Sequence, residues 1–154
     1  MDNNSFYTFS EYIKNDDDIL TASMQDYLEM IYRLSKDSGF TRTHELSKAL
    51  NVQPPSATRM VQKLAELKLL KYQKYGILIL EEKGKKIGKK LLERHNIISE
   101  FLGIIGTPED KILQETEKIE HMISWETVGC FKNFIDFIKI NPDIDLKFKS
   151  FLKK

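Results

Sequence analysis

Apolar residues recur at the spacing of an α-helix through most of the chain after residue 23. The first run ends before Gly39 and predicts an amphipathic helix of about three turns. Its apolar positions are Met24, Tyr27, Leu28, Ile31 and Leu34. A shorter helix is predicted from Thr43 to Leu50, with Leu46, Ala49 and Leu50 facing inward. A third helix is predicted from the proline pair 54–55 to about residue 67, because proline is tolerated in a first helical turn.

The pattern then changes to two short predicted strands, Leu70 to Gln73 and Ile77 to Leu80, with Tyr75 and Gly76 at the turn between them. A helix, a tight turn, a second helix and a two-stranded ribbon form a winged helix-turn-helix, in which the second helix enters the major groove of DNA. The first half of the chain therefore predicts a DNA-binding module.

The second half of the chain predicts only helices. A long helix follows Gly84, and Thr107 is predicted to cap the next helix with Pro108 at its first position. That helix carries Ile112, Leu113, Ile119 and Ile123. The last predicted helix runs from about Glu126 to Lys139. The predicted fold class is mainly α, with an N-terminal winged helix-turn-helix DNA-binding domain followed by an all-α dimerisation domain.

Three segments are expected: an N-terminal extension at 1–22, the winged helix-turn-helix domain at 23–83, and a helical metal-binding and dimerisation domain at 84–154. A homodimer through the helices between about Glu109 and Lys139 is expected. The reason is that Phe131, Phe134 and Phe137 offer more apolar surface than so short a chain covers alone.

The net charge of +1 conceals a basic middle segment. Residues 1–40 carry 8 acids and 3 bases, residues 41–95 carry 5 and 13, and residues 96–154 carry 10 and 8. A basic block between acidic flanks is typical of a phosphate-binding module.

The start of the chain has no secretory pattern, and no run approaches the roughly 18 apolar residues of a membrane span. A cytoplasmic protein without a membrane partner is expected, with Cys130 as a small buried apolar residue.

The third helix divides into two faces that suit DNA recognition. Ala57, Met60, Val61 and Leu64 are predicted to face the core. The predicted DNA-binding residues on the other face are Ser56, Thr58, Arg59, Gln62 and Lys63, joined by Lys71, Lys74 and Tyr75 of the wing. Arginine can pair with guanine, and wing lysines can contact phosphates. A double-stranded DNA operator is therefore the expected partner, while His44 is expected to be an exposed surface residue.

Two short patterns place ionisable groups on single helical faces. Glu117-x-x-Glu120-His121 and Asp26-x-x-Glu29 each occupy i, i+3 or i+4 positions. Such pairs are usually a solvated charged face, and His95 by itself is most simply a satisfied interior histidine. If the elements converge, the carboxylates would repel one another unless a cation lay between them.

Four runs of residues resemble the diphtheria-toxin-repressor superfamily, specifically its manganese transport regulator branch, over about residues 23–141. They are Met24-Gln25-Asp26-Tyr27-Leu28-Glu29-Met30-Ile31-Tyr32, Met60-Val61-Gln62-Lys63-Leu64, Lys83-Gly84-Lys85-Lys86-Ile87-Gly88-Lys89 and Ile119-Glu120-His121-Met122-Ile123-Ser124-Trp125. The resemblance implies a metal-dependent repressor of metal-uptake genes. The metal site that it implies consists of Asp26, Glu29, His95, Glu117, Glu120 and His121.

Within that family, relatives tuned to iron carry Met or Cys where this chain has Asp26 and Glu117. Carboxylates favour harder ions, so Mn²⁺ is the expected cofactor, at one or two ions per subunit. Fe²⁺, Co²⁺, Zn²⁺ or Cd²⁺ would also bind in vitro.

Met122 stands where close relatives have a second histidine. The chain is also expected to be without the SH3-like third domain of larger members. The expected mechanism is that metal clips the DNA-binding and dimerisation domains together.

Two other classes of function compete with this hypothesis. A winged-helix regulator that responds to a small organic ligand, or to no metal, would leave the acidic residues as a solvated surface. A metallohydrolase fits poorly, because there is no His-Glu-x-x-His motif and six protein ligands leave little room for an activated water. The sequence therefore predicts a regulator and no enzyme.

Overall fold

The computed structural model describes Thr8 and residues 20–153. The predicted N-terminal extension at 1–22 therefore lies almost entirely outside the described residues. The elements are α1 (Ala22–Ser35), β1 (Thr41–Arg42), α2 (Thr43–Ala49), α3 (Pro54–Glu66), β2 (Leu70–Tyr72), a 3-10 turn (Lys74–Gly76), β3 (Ile77–Leu80), α4 (Glu82–Ile104), α5 (Glu109–Ile119), α6 (Trp125–Ile140) and α7 (Pro142–Leu152). The prediction of a mainly α chain with a small wing is confirmed.

The helix-turn-helix is formed by α2 and α3. Asn51 has a φ of 53° in the turn between them, a left-handed conformation that asparagine tolerates better than most residues. Ala57, Val61 and Leu64 of α3 are fully buried, as predicted, and Met60 is half-buried. Ala49 was predicted to face inward but is exposed, because the buried side of the short helix α2 is taken by Leu46 and Ser47.

The wing is an antiparallel sheet of three strands in the order β1-β3-β2. Strand β1 was not predicted, since two residues are too short to show an alternating pattern. It pairs Thr41 with Leu78 of β3. Arg42 Nη1 also donates a hydrogen bond of 3.2 Å to the carbonyl of Tyr75 and so holds the tip of the wing. Tyr75 and Gly76 both have positive φ, which makes the predicted turn there tight.

The remaining helices pack around α4, which spans 23 residues. Two of its glycines allow close packing against the N-terminal half of the chain. A Cβ on Gly84 would lie 2.0 Å from the Leu69 carbonyl oxygen, and one on Gly88 would lie 2.7 Å from Cβ of Tyr32 on α1. Farther along, α4 contributes Ile98 and Leu102 to a second core with Val128 of α6. Helix α4 thus joins both halves of the structure.

Three predictions for this half are wrong. Pro108 occupies the cap position of α5, with φ −54° and ψ 135°, and the helix begins at Glu109, so Thr107 is not the cap residue. Helix α5 also ends before Ile123. Cys130 is exposed, because it lies on the outer side of α6, opposite the buried Val128.

Helix α7 was not predicted at all. It starts at Pro142, directly after α6 ends. Among the helices of the described residues, none combines the length and apolarity that crossing a bilayer requires.

Candidate metal centre and DNA-binding surface

The six predicted metal-binding residues lie in one region of the structure. They come from α1, from the middle of α4, and from the end of α5 and the turn that follows it. Two groups can be distinguished, Asp26 with Glu120 and His121, and Glu29 with His95 and Glu120. In each group one ligand atom per residue lies within 4.8 Å of the others. Glu117 joins the second group, with its Oε1 atom 3.5 Å from His95 Nδ1.

Glu120 is the shared member, and its side chain is almost completely buried. Its Oε2 atom lies 3.0 Å from His95 Nδ1, and its Oε1 atom lies 3.6 Å from His121 Nε2. One carboxylate therefore connects a histidine of α4 with a histidine from the turn after α5.

Both histidines are held beside carboxylates. His121 Nε2 lies 2.7 Å from Asp26 Oδ1, and this hydrogen bond raises the pKa of His121 above its usual value. The hydrogen bond with Glu120 similarly raises the pKa of His95, against the opposing effect of its burial. Without a metal, the imidazolium forms are thus favoured by the surrounding negative charge.

The surroundings of Glu29 and Glu117 disfavour the charged forms of their carboxyl groups. Burial is the main cause that raises the pKa of Glu29, and the neighbouring Glu120 raises it further. Burial also raises the pKa of Glu117, again with Glu120 as a second cause. The Arg33 guanidinium lies 3.0 Å from Glu29 and opposes this rise. A bound cation would therefore stabilise the charged forms of these carboxylates.

A cavity of about 440 Å³ opens beside the cluster. Its polar walls are Asp26, Glu29, Arg33 and Glu117, and its apolar walls include Leu50 and Leu113. The donor atoms that surround the site are carboxylate oxygens and imidazole nitrogens. This set fits a hard or borderline divalent cation such as Mn²⁺, whereas a soft ion would favour sulfur.

The predicted DNA-binding residues lie on the surface of α3 and the wing. Ser56, Arg59, Gln62 and Lys63 are exposed on one side of α3, and Lys71, Lys74 and Tyr75 are exposed on the wing. Thr58 is half-buried, and its hydroxyl donates a hydrogen bond of 3.1 Å to the carbonyl of Pro54. Lys71 forms an ion pair of 3.5 Å with Glu81. His44 is exposed, as predicted.

Three polar residues beside the metal-binding cluster were missed by sequence reasoning. They are Gln25, Arg33 and Arg94. Gln25 could have been found, because it occupies the same face of α1 as Leu28 and Glu29 at i, i+3 and i+4. The role of Arg94 depends on contacts distant in sequence and left no local signal.

Family models match both halves of the chain. Residues 19–78 match the family model described as "Iron dependent repressor, N-terminal DNA binding domain", and residues 81–149 match "Iron dependent repressor, metal binding and dimerisation domain". The chain is 42% identical over 134 residues to the HTH-type transcriptional regulator MntR of Bacillus pumilus, covering 87% of this chain and 93% of that protein. The MntR of Bacillus subtilis is also 42% identical, with 87% and 94% covered.

Solved structures show the same fold. The structure of the manganese regulator SloR superimposes with a TM-score of 0.67 at 28% identity, covering 77% of this chain and 55% of SloR. The apo form of the manganese-activated repressor ScaR gives a TM-score of 0.60 at 29% identity, covering 73% and 54%. This chain thus spans about half the length of these two solved proteins. The two family matches and the relatives at 42% identity together show that the chain belongs to the iron-dependent repressor family of transcriptional regulators, which are DNA-binding proteins and not enzymes.

Proposed function

We propose that this chain is a Mn²⁺-dependent DNA-binding transcriptional repressor that controls metal-uptake genes. The observation that carries the proposal is the convergence of carboxylates and imidazoles from α1, α4 and the end of α5 on one cluster beside Glu120. The α1 ligands belong to the part of the chain that packs against the helix-turn-helix. The other ligands belong to the part with the second core.

Asp26, Glu29, His95, Glu117, Glu120 and His121 would hold the ion. The two overlapping groups that share Glu120 support one or two ions per subunit. Manganese is favoured by the all-oxygen and nitrogen donor set and by the printed names of SloR and ScaR, a manganese regulator and a manganese-activated repressor. Fe²⁺, Co²⁺, Zn²⁺ and Cd²⁺ are expected to bind the same donors in vitro.

The bound ion supplies the positive charge that offsets repulsion among the carboxylates. Asp26 and Glu29 then hold α1 against α4, and His121 and Glu120 hold the end of α5 in the same place. The helix-turn-helix is thereby fixed relative to the C-terminal helices. In a dimer, this fixes the separation of the two α3 helices, which must match the spacing of the half-sites of an operator.

A homodimer is expected because the C-terminal helices leave large apolar side chains uncovered. Phe134 and Phe137 of α6 are 40% and 47% exposed, and Ile140 is 79% exposed. The family model that matches this region is described as a dimerisation domain. Phe131, by contrast, is half-buried within the chain, where it stacks on Phe101 with ring centroids 4.0 Å apart.

The proposal is tested by measuring DNA binding with and without metal. A DNA sequence selected from a random duplex library in the presence of Mn²⁺ would serve as the operator in fluorescence anisotropy titrations. Mn²⁺ is expected to tighten binding by a factor of ten or more, the usual range of allosteric coupling being about 5–150-fold. Equal affinity in Mn²⁺ and in chelator would instead favour a regulator that responds to an organic ligand or to none.

A matched pair of variants tests whether the effect of Mn²⁺ on DNA binding depends on Glu117 of the cluster. Glu117→Gln removes one charge of the cluster and is expected to weaken the Mn²⁺ response. Glu109→Gln makes the same change at the exposed first residue of α5 and is expected to leave it unchanged. Equal responses in the two variants would exclude Glu117 from the site.

A further inference from the structure

A hydrogen-bonded network connects His121 to residues outside the metal-binding cluster. Gln25 is buried on α1, one residue before Asp26. Its Oε1 atom lies 3.0 Å from His121 Nδ1 and accepts a hydrogen bond of 2.7 Å from Arg94 Nη2. Its Nε2 atom donates to the carbonyl of Leu20 at 3.2 Å.

These partners determine which way the Gln25 amide points. Arginine can only donate hydrogen bonds, and a carbonyl can only accept them. The amide oxygen must therefore face Arg94, and the amide nitrogen must face Leu20. Because the same oxygen faces His121, the hydrogen bond between them requires the hydrogen to be on Nδ1 of His121.

Arg94 is held in place from its other side. It is buried on α4, and its guanidinium carbon lies 5.1 Å from the ring centre of Trp125, the first residue of α6. A guanidinium stacked on an indole and hydrogen-bonded to an amide has little rotational freedom. The network therefore connects α1, α4 and the start of α6 through side chains that need no ion.

We propose that Gln25, held by Arg94, is a positioning residue that fixes the tautomer and orientation of His121. With its hydrogen on Nδ1, the imidazole presents the Nε2 lone pair to the metal-binding cluster, on the side where Asp26 lies. Groups that orient a ligating histidine in this way commonly change metal affinity by about 10–100-fold. The inference rests on the proposed function, since it takes His121 as a ligand.

Two variants of Gln25 separate positioning from packing. Gln25→Met keeps the size of the side chain but removes the acceptor, and it is expected to raise the dissociation constant for Mn²⁺ by about tenfold or more. Gln25→Glu keeps an acceptor oxygen facing both Nδ1 and Arg94 and is expected to retain nearly the original affinity. Gln114→Met, the same change at an exposed position of α5, is the matched control and should bind Mn²⁺ unchanged.

Nitrogen NMR provides a readout that packing alone would not alter. In ¹⁵N-labelled protein loaded with diamagnetic Zn²⁺, the His121 signals are identified by their loss in His121→Ala. The original chain and Gln25→Glu are expected to show a hydrogen on Nδ1 and none on Nε2. Gln25→Met is expected to lose this single pattern.

The results distinguish the proposal from the function on which it rests. Three results would overturn the positioning role: a hydrogen on Nε2 of the unaltered chain when it is loaded with Zn²⁺, undiminished Mn²⁺ affinity in Gln25→Met, or equally weak binding by Gln25→Glu. If His121→Ala bound Mn²⁺ as well as the original chain, the metal site itself would be wrong. Thermal unfolding in chelator reports whether Gln25→Met folds. If it does not, the spectra of the unaltered chain and the affinity of Gln25→Glu decide the question.

Discussion

At the scale of single residues, the proposed metal-binding cluster places the buried acid Glu29 next to a cationic side chain. Arg33 is the cation closest to Glu29, with Nη2 and Oε2 separated by 3.0 Å. It is on the same helix, one turn farther along. An ion entering the cluster must therefore compete with Arg33 for Glu29.

Replacement of Arg33 is expected to strengthen metal binding. Arg33→Met keeps a long side chain but removes the competing charge, and the dissociation constant for Mn²⁺ should fall by about threefold to tenfold, the order expected for an ion pair that is partly screened by solvent. Isothermal titration calorimetry of the metal-free protein measures it. Lys36→Met, at the exposed end of the same helix, is the control. Unchanged Mn²⁺ binding by a folded Arg33→Met would show that Arg33 does not compete with the ion, and weaker binding would show that Arg33 supports the site.

At the scale of elements, one exposed carboxylate connects strand β1 to α2, the first helix of the helix-turn-helix. Glu45 of α2 accepts a hydrogen bond of 2.8 Å from the Thr41 hydroxyl and one of 3.0 Å from the Arg42 amide. The Thr41 bond is the first cause of a lowered Glu45 pKa, and the Arg42 amide is the second. These bonds fasten β1 to the start of α2.

A pH dependence of stability follows from this pKa. Since the Glu45 pKa is lowered by folding, its contribution is present above the unfolded value of about 4.3 and is lost as pH falls through the folded value. Glu45→Gln should therefore be less stable than the original chain at pH 7, and the difference should shrink toward pH 3. Urea unfolding in chelator at several pH values measures this, with Glu66→Gln at the end of α3 as control. A difference that does not vary with pH would contradict the assignment.

A second prediction at this scale concerns α3 and the wing. Arg59→Ala removes an exposed side chain of α3 and should cost about 1–3 kcal/mol of discrimination between operator and mismatched DNA. Lys74→Ala on the wing should weaken binding to all duplexes alike and reduce the salt dependence by about one unit. Anisotropy titrations over a range of salt concentrations measure both. Equal losses of discrimination in the two variants would mean that α3 does not read bases.

The elements that could be predicted from sequence are those with several turns of periodic apolar residues. Elements that are short, and side chains whose deciding contact is distant in sequence, could not be predicted. Strand β1 has two residues and is stabilised by pairing with β3. Helix α7 was not predicted, although Pro142 opens it just as the proline pair opens α3. Likewise the spacing of the acids did not predict a metal site by itself, and the six residues were implied by the family resemblance. Only the packing of α4 shows Arg94 beside Gln25.

At the scale of the whole molecule, the cluster connects the two cores. Asp26 is the proposed ligand from α1 whose carboxylate lies 2.7 Å from His121, so it joins the helix-turn-helix half to the turn after α5. The other five proposed ligands would remain in its absence, and of these only Glu29 lies on α1. A substitution of Asp26 is therefore expected to separate metal binding from the effect of the metal on DNA binding.

Asp26→Ala is expected to keep weakened Mn²⁺ binding and to lose most of the effect of Mn²⁺ on operator affinity, because the proposed ligand that remains on α1, Glu29, is also paired with Arg33. Calorimetry measures the first property and anisotropy the second. Asp37→Ala, just beyond α1, is the exposed control. Activation by Mn²⁺ to the original extent in Asp26→Ala would refute the clip between the two halves, even with the metal site intact.

The close contacts of α4 also bear on how this chain can evolve. Gly84 meets Leu69, Gly88 meets Tyr32, His95 faces Glu120, and Ile98 lies in the second core, all from one uninterrupted helix. Each residue of a helix turns it by about 100° and advances it by about 1.5 Å. One inserted or deleted residue between Gly84 and Ile98 would therefore turn the downstream contacts away from their partners. Descendants of this chain can vary this stretch by substitution but are constrained to keep its length.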